Sequence, residues 1–206
     1  MAKTVAKKVG AKPEQAPVVS RAEVVGDAAV EVLSKQGSRG LTHRAVDRAA
    51  GLSEGATSNL YRTRGALVAA TLERQVEREL EILGSITRPG PGATIDDVAS
   101  FIAVVVESLT SSASADLVTA RYELYLEGRR QDEFRPLLAG VRREFTQLTT
   151  EILVDLGISD DARNAGATVA LVEGLSLNQL FHPESALTGD DIAYAVAALL
   201  RSLAAA

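Results

Sequence analysis

The chain has 206 residues, of which 46% are hydrophobic and 24% charged, and this composition argues against an intrinsically disordered protein. Because the sequence contains no cysteine, disulfides, Cys-based zinc sites, iron–sulfur clusters and thiol nucleophiles are excluded. No apolar run is long enough to span a membrane, and the N-terminus lacks the apolar segment of a secretion signal. We therefore expect a cytoplasmic protein.

Charge is unevenly distributed along the chain, although the overall net charge is −5. Residues 1–70 contain eleven lysines and arginines against six acidic residues, whereas residues 71–206 contain eleven against twenty-one. A basic N-terminal third on an acidic body indicates a localised surface that binds a polyanion. Four of the basic residues lie within the first twelve positions, so a solubilising tail is an alternative explanation for part of the excess.

The N-terminal segment divides into a tail and a first helix. Residues 1–19 are polar and contain two prolines, so we predict a disordered basic tail. Ser20 and Glu23 then have the spacing of a capping box, and the apolar stripe that follows predicts a helix of about four turns. Gly37 and Gly40 are predicted to end this helix, because glycine is common just past a helix C-terminus.

Two short helices and a long one are predicted next. Thr42 can cap a helix over residues 43–50, in which Val46 and Ala49 would face inward. Gly51 breaks that helix. Ser53 can cap a second short helix over residues 54–61, and a fourth helix is predicted over residues 66–83. A short helix, a turn with glycine and another short helix form a helix-turn-helix pattern.

The remainder of the chain also has helical periodicity, and no segment alternates as a strand would. A break rich in proline and glycine precedes five further helices, in the third of which Pro136 lies early. These helices are predicted over residues 94–111, 115–127, 131–156, 162–181 and 192–203. The fold class is therefore all-α, with about nine helices.

Residues 24–68 contain a diverse set of positions in one ungapped register. The set comprises the first-helix stripe, Gly37, Leu41-Thr42, Val46, Ala49-Ala50-Gly51-Leu52-Ser53, Gly55, Tyr61 and Arg64-Gly65-Ala66-Leu67. In these features the segment resembles the N-terminal DNA-binding domain of TetR-family repressors. Three positions depart from the family pattern: Ser58 replaces a usual tyrosine, Glu54 a frequent lysine and Leu60 a frequent histidine.

The resemblance implies an architecture and a function. A three-helix helix-turn-helix DNA-binding domain would occupy residues 20–68, and a helical ligand-binding and dimerisation domain residues 69–206. The chain would be a sequence-specific transcriptional regulator, a repressor that a small-molecule effector releases from double-stranded operator DNA. It would form a homodimer through the helices at 162–181 and 192–203.

The residue types of the second short helix fit contact with DNA. Asn59 can form paired hydrogen bonds with adenine, and Thr57 can place its methyl group against thymine. The alternative is that these side chains form the solvated face of a short helix. With the resemblance, the predicted DNA-contact set is Thr42, His43, Arg44, Glu54, Gly55, Thr57, Ser58, Asn59, Tyr61, Arg62 and Arg64.

A ligand pocket is implied between the helices at 94–111, 115–127 and 131–156. The candidate lining residues are Phe101, Val105, Tyr122, Tyr125, Phe145 and Leu148. The alternative for each is an ordinary place in the core, because aromatic side chains dominate protein cores.

An enzyme is the less favoured interpretation. The sequence has only two histidines and none of the GxSxG, P-loop, HExxH or GxGxxG motifs, so we predict no catalytic residue, cofactor or metal. The aspartate pairs lie at helix starts, where capping accounts for them. A further alternative is a helical interaction protein that has lost DNA binding, which Glu54 and Ser58 would favour.

Overall fold

The computed structural model describes residues 20–205, and this part of the chain forms nine α-helices without a β-strand. The predicted tail over residues 1–19 lies outside the described residues. Two single-turn 3₁₀ helices precede α7 and α9. The helices are α1 Arg21–Gly40, α2 His43–Ala49, α3 Ala56–Leu60, α4 Arg64–Ser85, α5 Ile95–Thr110, α6 Ala115–Arg130, α7 Arg135–Asp155, α8 Ala162–Phe181 and α9 Gly189–Ala204.

Capping explains where several helices begin. Ser20, Thr94 and Thr188 each accept a hydrogen bond from the backbone three residues later, and the acidic residue there bonds back, which completes a capping box. Thr42 caps α2 by accepting a hydrogen bond from the backbone N–H of Ala45 at 3.2 Å. The predicted starts at Ser20, Thr42 and Thr94 are confirmed, whereas the last helix begins at Gly189, three residues before the predicted residue 192.

Other predicted boundaries are wrong in detail. Ser114 makes no capping hydrogen bond with its side chain, and Ala49 is exposed while its neighbour Ala50 packs on the core. The helix predicted to begin at 131 begins at Arg135 after a 3₁₀ turn, which places Pro136 in its first turn. Proline is tolerated there because the N–H it lacks would have no partner within the helix.

The buried side chains form two main clusters. The first lies among α1, α2, α4 and α6 and includes Val25, Val46, Leu67 and Leu124. The second lies among α5, α7, α8 and α9, and its fully buried members include Val106, Leu153, Ile192 and Leu200. Helix α6 also contributes Val118 to a third cluster with residues of α5, so it packs against both halves of the molecule.

Within residues 20–205, no single helix is long and apolar enough to cross a membrane. Helices α5 and α6 have the length and composition of a membrane span only when they are taken together, and that pair is bent by 87°.

Candidate nucleic-acid interface and internal cavity

A buried carboxylate fixes the angle between the two short helices. Asp47 of α2 accepts hydrogen bonds from the backbone N–H groups of Gly55 at 2.8 Å and Thr57 at 2.7 Å. Burial would raise the pKa of Asp47, but the hydrogen bonds from Thr57 and Gly55 outweigh this effect and lower it. The carboxylate of α2 thus caps the first turn of α3, and the predicted helix start at Ser53 is wrong for that reason.

The entry to α3 also requires glycine. Gly55 has a φ of 91°, a left-handed conformation that side chains with a Cβ rarely adopt. The chain can therefore turn tightly between Glu54 and Ala56 and present both capped N–H groups to Asp47. The structure thus gives Gly55 a role within the protein, and its predicted contact with DNA stays a prediction.

The short helix α3 exposes only part of the predicted contact set. Asn59 and Leu60 are exposed, and Ser58 is half-buried with its hydroxyl donating to the carbonyl of Gly55 at 3.0 Å. Thr57 is fully buried, with 0% of its surface exposed. The prediction that Thr57 reaches a base edge is therefore wrong in this conformation, because its N–H donates to Asp47 and holds the residue beneath α2.

Two pairs of predicted contact residues lie together. Arg44 and Glu54 form an exposed ion pair, with 3.1 Å between Nε and Oε1. His43 is half-buried, and its Nε2 lies 2.6 Å from the carbonyl oxygen of Tyr61, so this ring joins the start of α2 to the end of α3. Thr42 and Arg62 are exposed. The polar surface thus combines side chains open to solvent with side chains that hold the two helices together.

Arg64 differs from the other predicted contacts, because its guanidinium group bonds to several protein groups at once, although 41% of the side chain is exposed. Nη1 donates to the carbonyl of Leu41 at 2.9 Å. Nη2 lies 2.9 Å from both the carbonyl and the hydroxyl of Ser38, and 3.0 Å from Oε1 of Glu127. One side chain therefore joins the start of α4 to the end of α1 and to α6. This geometry favours a positioning role for Arg64 over the phosphate contact expected from the sequence.

Helix α6 holds the end of α1 at a second point. Gly37 has a φ of 66° and interrupts α1, as the sequence predicted. The next N–H, that of Ser38, donates to Oε2 of Glu123 at 3.3 Å. Burial would raise the pKa of Glu127, one turn further along α6, but hydrogen bonding to Ser38 and Arg64 lowers it, so Glu127 acts as an anionic acceptor.

An internal cavity of about 610 Å³ lies among α4, α5, α6, α7, α8 and α9. Five of the six predicted lining residues border it, namely Phe101, Val105, Tyr125, Phe145 and Leu148. Tyr122 does not border it, which corrects the prediction. Its hydroxyl donates instead to the backbone carbonyl of Glu173 at 2.7 Å, and this bond turns the ring towards α8.

Two ion pairs lie at the cavity wall. Nη1 of Arg121 lies 2.9 and 3.0 Å from the two carboxylate oxygens of Glu79, which is fully buried. Glu173 bonds to Arg142 and accepts a hydrogen bond from the hydroxyl of Tyr125 at 3.1 Å. Burial and the neighbouring carboxylate of Glu173 raise the pKa of Tyr125, so its hydroxyl stays protonated and remains a donor.

The sequence contained an indication of the Glu79–Arg121 ion pair that the prediction did not use. Glu79 and Arg121 occupy positions on the buried stripes of α4 and α6, beside Val76 and Val118. A charged residue on a stripe of this kind indicates a buried partner, since an unpaired buried charge is very costly. Asp47 and Glu127 gave no comparable indication, because their partners are identified only by the folded arrangement.

Within residues 20–205, no group of three or more His, Asp or Glu side chains is placed to hold a metal ion.

Comparisons with known proteins agree with this architecture. A family model described as "Tetracyclin repressor-like, C-terminal domain" matches residues 93–206. A transcriptional regulator from Rhodococcus sp. Rha1 has a similar structure, with a TM-score of 0.73 and 17% identity over 89% of this chain and 96% of that one. A member of the TetR family from Streptomyces coelicolor A3 gives a TM-score of 0.71 and 25% identity over 88% and 98% of the two chains.

A third similar structure is that of the multidrug binding protein EbrR complexed with proflavin. Its TM-score is 0.61, with 26% identity over 87% of this chain and 99% of that one. A comparison with curated protein sequences gives no match.

Replacing Asp47 by asparagine tests the cap between α2 and α3. The amide offers one acceptor oxygen instead of two, so Gly55 or Thr57 loses its partner. We expect a loss of about 1–3 kcal/mol in the free energy of unfolding, measured by urea denaturation at neutral pH. Asp190→Asn, at an exposed position in the first turn of α9, is the control and should change stability little.

The effect of Asp47→Asn should depend on pH. Because the folded-state pKa of Asp47 is lowered, its stabilisation is complete above the unfolded-state value of about 3.9 and is lost as pH falls through the folded-state value. The stability difference between Asp47→Asn and the unchanged protein should therefore shrink below about pH 4. A difference that persists undiminished in strong acid would contradict the assigned cap.

Proposed function

The chain belongs to the TetR family of transcriptional regulators, and we propose that it is a repressor that a small molecule releases from operator DNA. The observation that carries this proposal is the position of α6. Its residues Glu123 and Glu127 bond to the end of α1 and to Arg64, while Arg121 and Tyr125 of the same helix line the internal cavity. A molecule in the cavity would therefore act on a helix that also holds the helix-turn-helix.

In this proposal the two parts of the chain have different roles. Residues 20–68 would bind DNA, and residues 69–206 would bind the effector and the second subunit. A ligand that favours one position of α4 and α6 lowers DNA affinity by its differential binding to the two states. Operator DNA must then weaken ligand binding by the same factor. TetR-family regulators are generally not enzymes, and we propose no catalytic role for this one.

The DNA contacts would come from the exposed part of the predicted set. Asn59 is exposed on α3 and suits a base edge, because its amide can form two hydrogen bonds with adenine. Thr42, Arg44 and Arg62 are also exposed and suit phosphate. His43, Tyr61 and Arg64 would hold these groups in position through the hydrogen bonds already described.

A homodimer would form through α8 and α9. The outer side of α8 carries exposed, uncharged residues at helical spacing, and α9 continues this uncharged surface. These residues are Ala170, Gly174, Leu177, Phe181, Tyr194 and Ala198. Exposed apolar stripes on two adjacent helices are typical of a helix-bundle interface. A dimer would present two copies of α3 to a two-fold DNA site.

Glu54→Gln tests whether this surface meets DNA. Glu54 pairs with Arg44 and adds a negative charge, so its removal should free a cation and raise duplex affinity about two- to fivefold at low salt. The measurement is a fluorescence-anisotropy titration with duplex DNA over a range of salt concentrations. Arg44→Ala should weaken binding to all sequences and reduce the salt slope by about one.

The double variant Glu54→Gln with Arg44→Ala is the matched control, and in it the gain from Glu54→Gln should largely disappear. Asn59→Ala should instead reduce the preference for a selected operator over random duplex. If neither the unchanged protein nor Glu54→Gln binds duplex in a salt-dependent way, the chain is a helical interaction protein that has lost DNA binding.

Gly174→Arg tests the dimer surface without disturbing the subunit. A Cβ atom at Gly174 would meet no heavy atom within 4 Å, so the subunit has room for a side chain. A charge there should break a symmetric interface and give the mass of one chain by light scattering. Gly140→Arg on α7 is the control and should leave the mass unchanged. An unchanged dimeric mass for Gly174→Arg would place the interface elsewhere.

A further inference from the structure

The internal cavity has mainly apolar walls. Its volume of about 610 Å³ lies in the range that holds small organic molecules. Leucine, isoleucine, valine and phenylalanine side chains from five helices line it, including Leu83, Ile102, Phe145, Val172 and Leu200. Most of an occupant must therefore be apolar, because polar atoms against these walls would lose their hydrogen bonds to water.

Each charged group that lines the cavity already has a partner of opposite charge. Glu173 bonds to Arg142, and Arg121 bonds to both oxygens of Glu79. Arg88 bonds to Asp155 at 3.0 Å. A cation or an anion entering the cavity would lose its hydration and would find no uncompensated charge to replace it. The charge balance of the wall therefore favours an uncharged occupant.

Hydrogen-bond donors in the wall are mostly occupied as well. The hydroxyls of Ser176, Thr168 and Thr149 donate to backbone carbonyls within their own helices at 2.8 to 3.0 Å. The hydroxyl of Tyr125 donates to Glu173. By contrast, the side chain of Arg121 lines the cavity with donors left over, since both hydrogen bonds to Glu79 come from Nη1 and the buried Nε–H has no partner among residues 20–205. A buried donor of this kind is costly until an acceptor meets it.

From these three observations we propose that the cavity binds an uncharged, largely apolar molecule bearing one hydrogen-bond acceptor, such as a carbonyl, that accepts from the guanidinium group of Arg121. The proposal rests on the proposed function only in taking the cavity as the effector site. It separates this chain from a receptor for cationic dyes such as proflavin, whose charge would need a free carboxylate.

A matched set of probes tests this proposal on the full chain without DNA. Butylbenzene and butyrophenone have nearly the same shape, but only the ketone has an acceptor. Phenylpropyltrimethylammonium and phenylbutyrate place a positive or a negative charge on a similar frame, and proflavin is a second cation. Affinities are measured by isothermal titration calorimetry and by the shift in thermal unfolding temperature. Butyrophenone should bind at least about tenfold more tightly than butylbenzene and than every charged probe.

Arg121→Lys tests the assigned donor. Lysine can keep the pair with Glu79, but it has no Nε–H at the same position. The preference for butyrophenone over butylbenzene should fall about tenfold, with butylbenzene affinity nearly unchanged. Arg78→Lys, the same exchange on α4 outside the cavity wall, should leave the preference intact. If Arg121→Lys does not fold, the probe series on the unchanged protein still tests whether the ligand is uncharged and bears an acceptor.

Several results would overturn the proposal. Equal binding of butyrophenone and butylbenzene would contradict the hydrogen-bond acceptor in the proposal. Tightest binding by a charged probe would contradict an uncharged ligand. Binding by none of the probes would show that the cavity is not a site for such molecules. Duplex binding, measured on the same preparation, separates these failures from a failure of the DNA-binding function, since it requires no probe.

Discussion

The position of the short helices relative to α4 and α6 depends on the hydrogen bonds of one guanidinium group. Arg64 stands at the start of α4 and bonds to Leu41, Ser38 and Glu127, so it joins α1 and α4 to α6. Hydrogen bonds between charged groups are stronger than neutral ones, and the low exposure of Glu127 limits competition from water. Without this junction, Ser38 would still bond to Glu123 and Asp27 to Arg74 and Arg78, but the carbonyl of Leu41 at the entry to α2 would lose its side-chain partner.

Two routes connect the cavity to the helix-turn-helix as a result. Helix α4 is the covalent route, since it begins at Arg64 and its later residues Leu80 and Leu83 line the cavity. Helix α6 is a second route, through the contacts that Glu123 and Glu127 make with the end of α1. Helix α6 contributes apolar side chains to the first cluster and to the third. A shift of this helix would therefore change the packing in both clusters.

The sequence was sufficient wherever local chemistry decides the structure. The capping box of Ser20 and the turn at Gly37 depend on residues within one turn of the chain, and both were predicted correctly. The start of α3 was predicted wrongly, because the carboxylate of Asp47 lies close to it in the fold and replaces the cap expected from Ser53. Helical periodicity likewise indicated most of the cavity lining. It could not indicate that Tyr122 bonds to the backbone of α8, since that choice depends on a neighbour far away in sequence.

The most direct test of this account is a double-mutant cycle between Arg64 and Glu127, with duplex affinity measured as a function of salt. If Arg64 acts through Glu127, then Arg64→Gln and Glu127→Gln should each weaken DNA binding, and the double variant should be no weaker than the weaker single variant. The salt slope should stay the same throughout, because no phosphate contact is removed. Losses that add in the double variant, together with a slope reduced by about one in Arg64→Gln, would instead show that Arg64 contacts DNA directly.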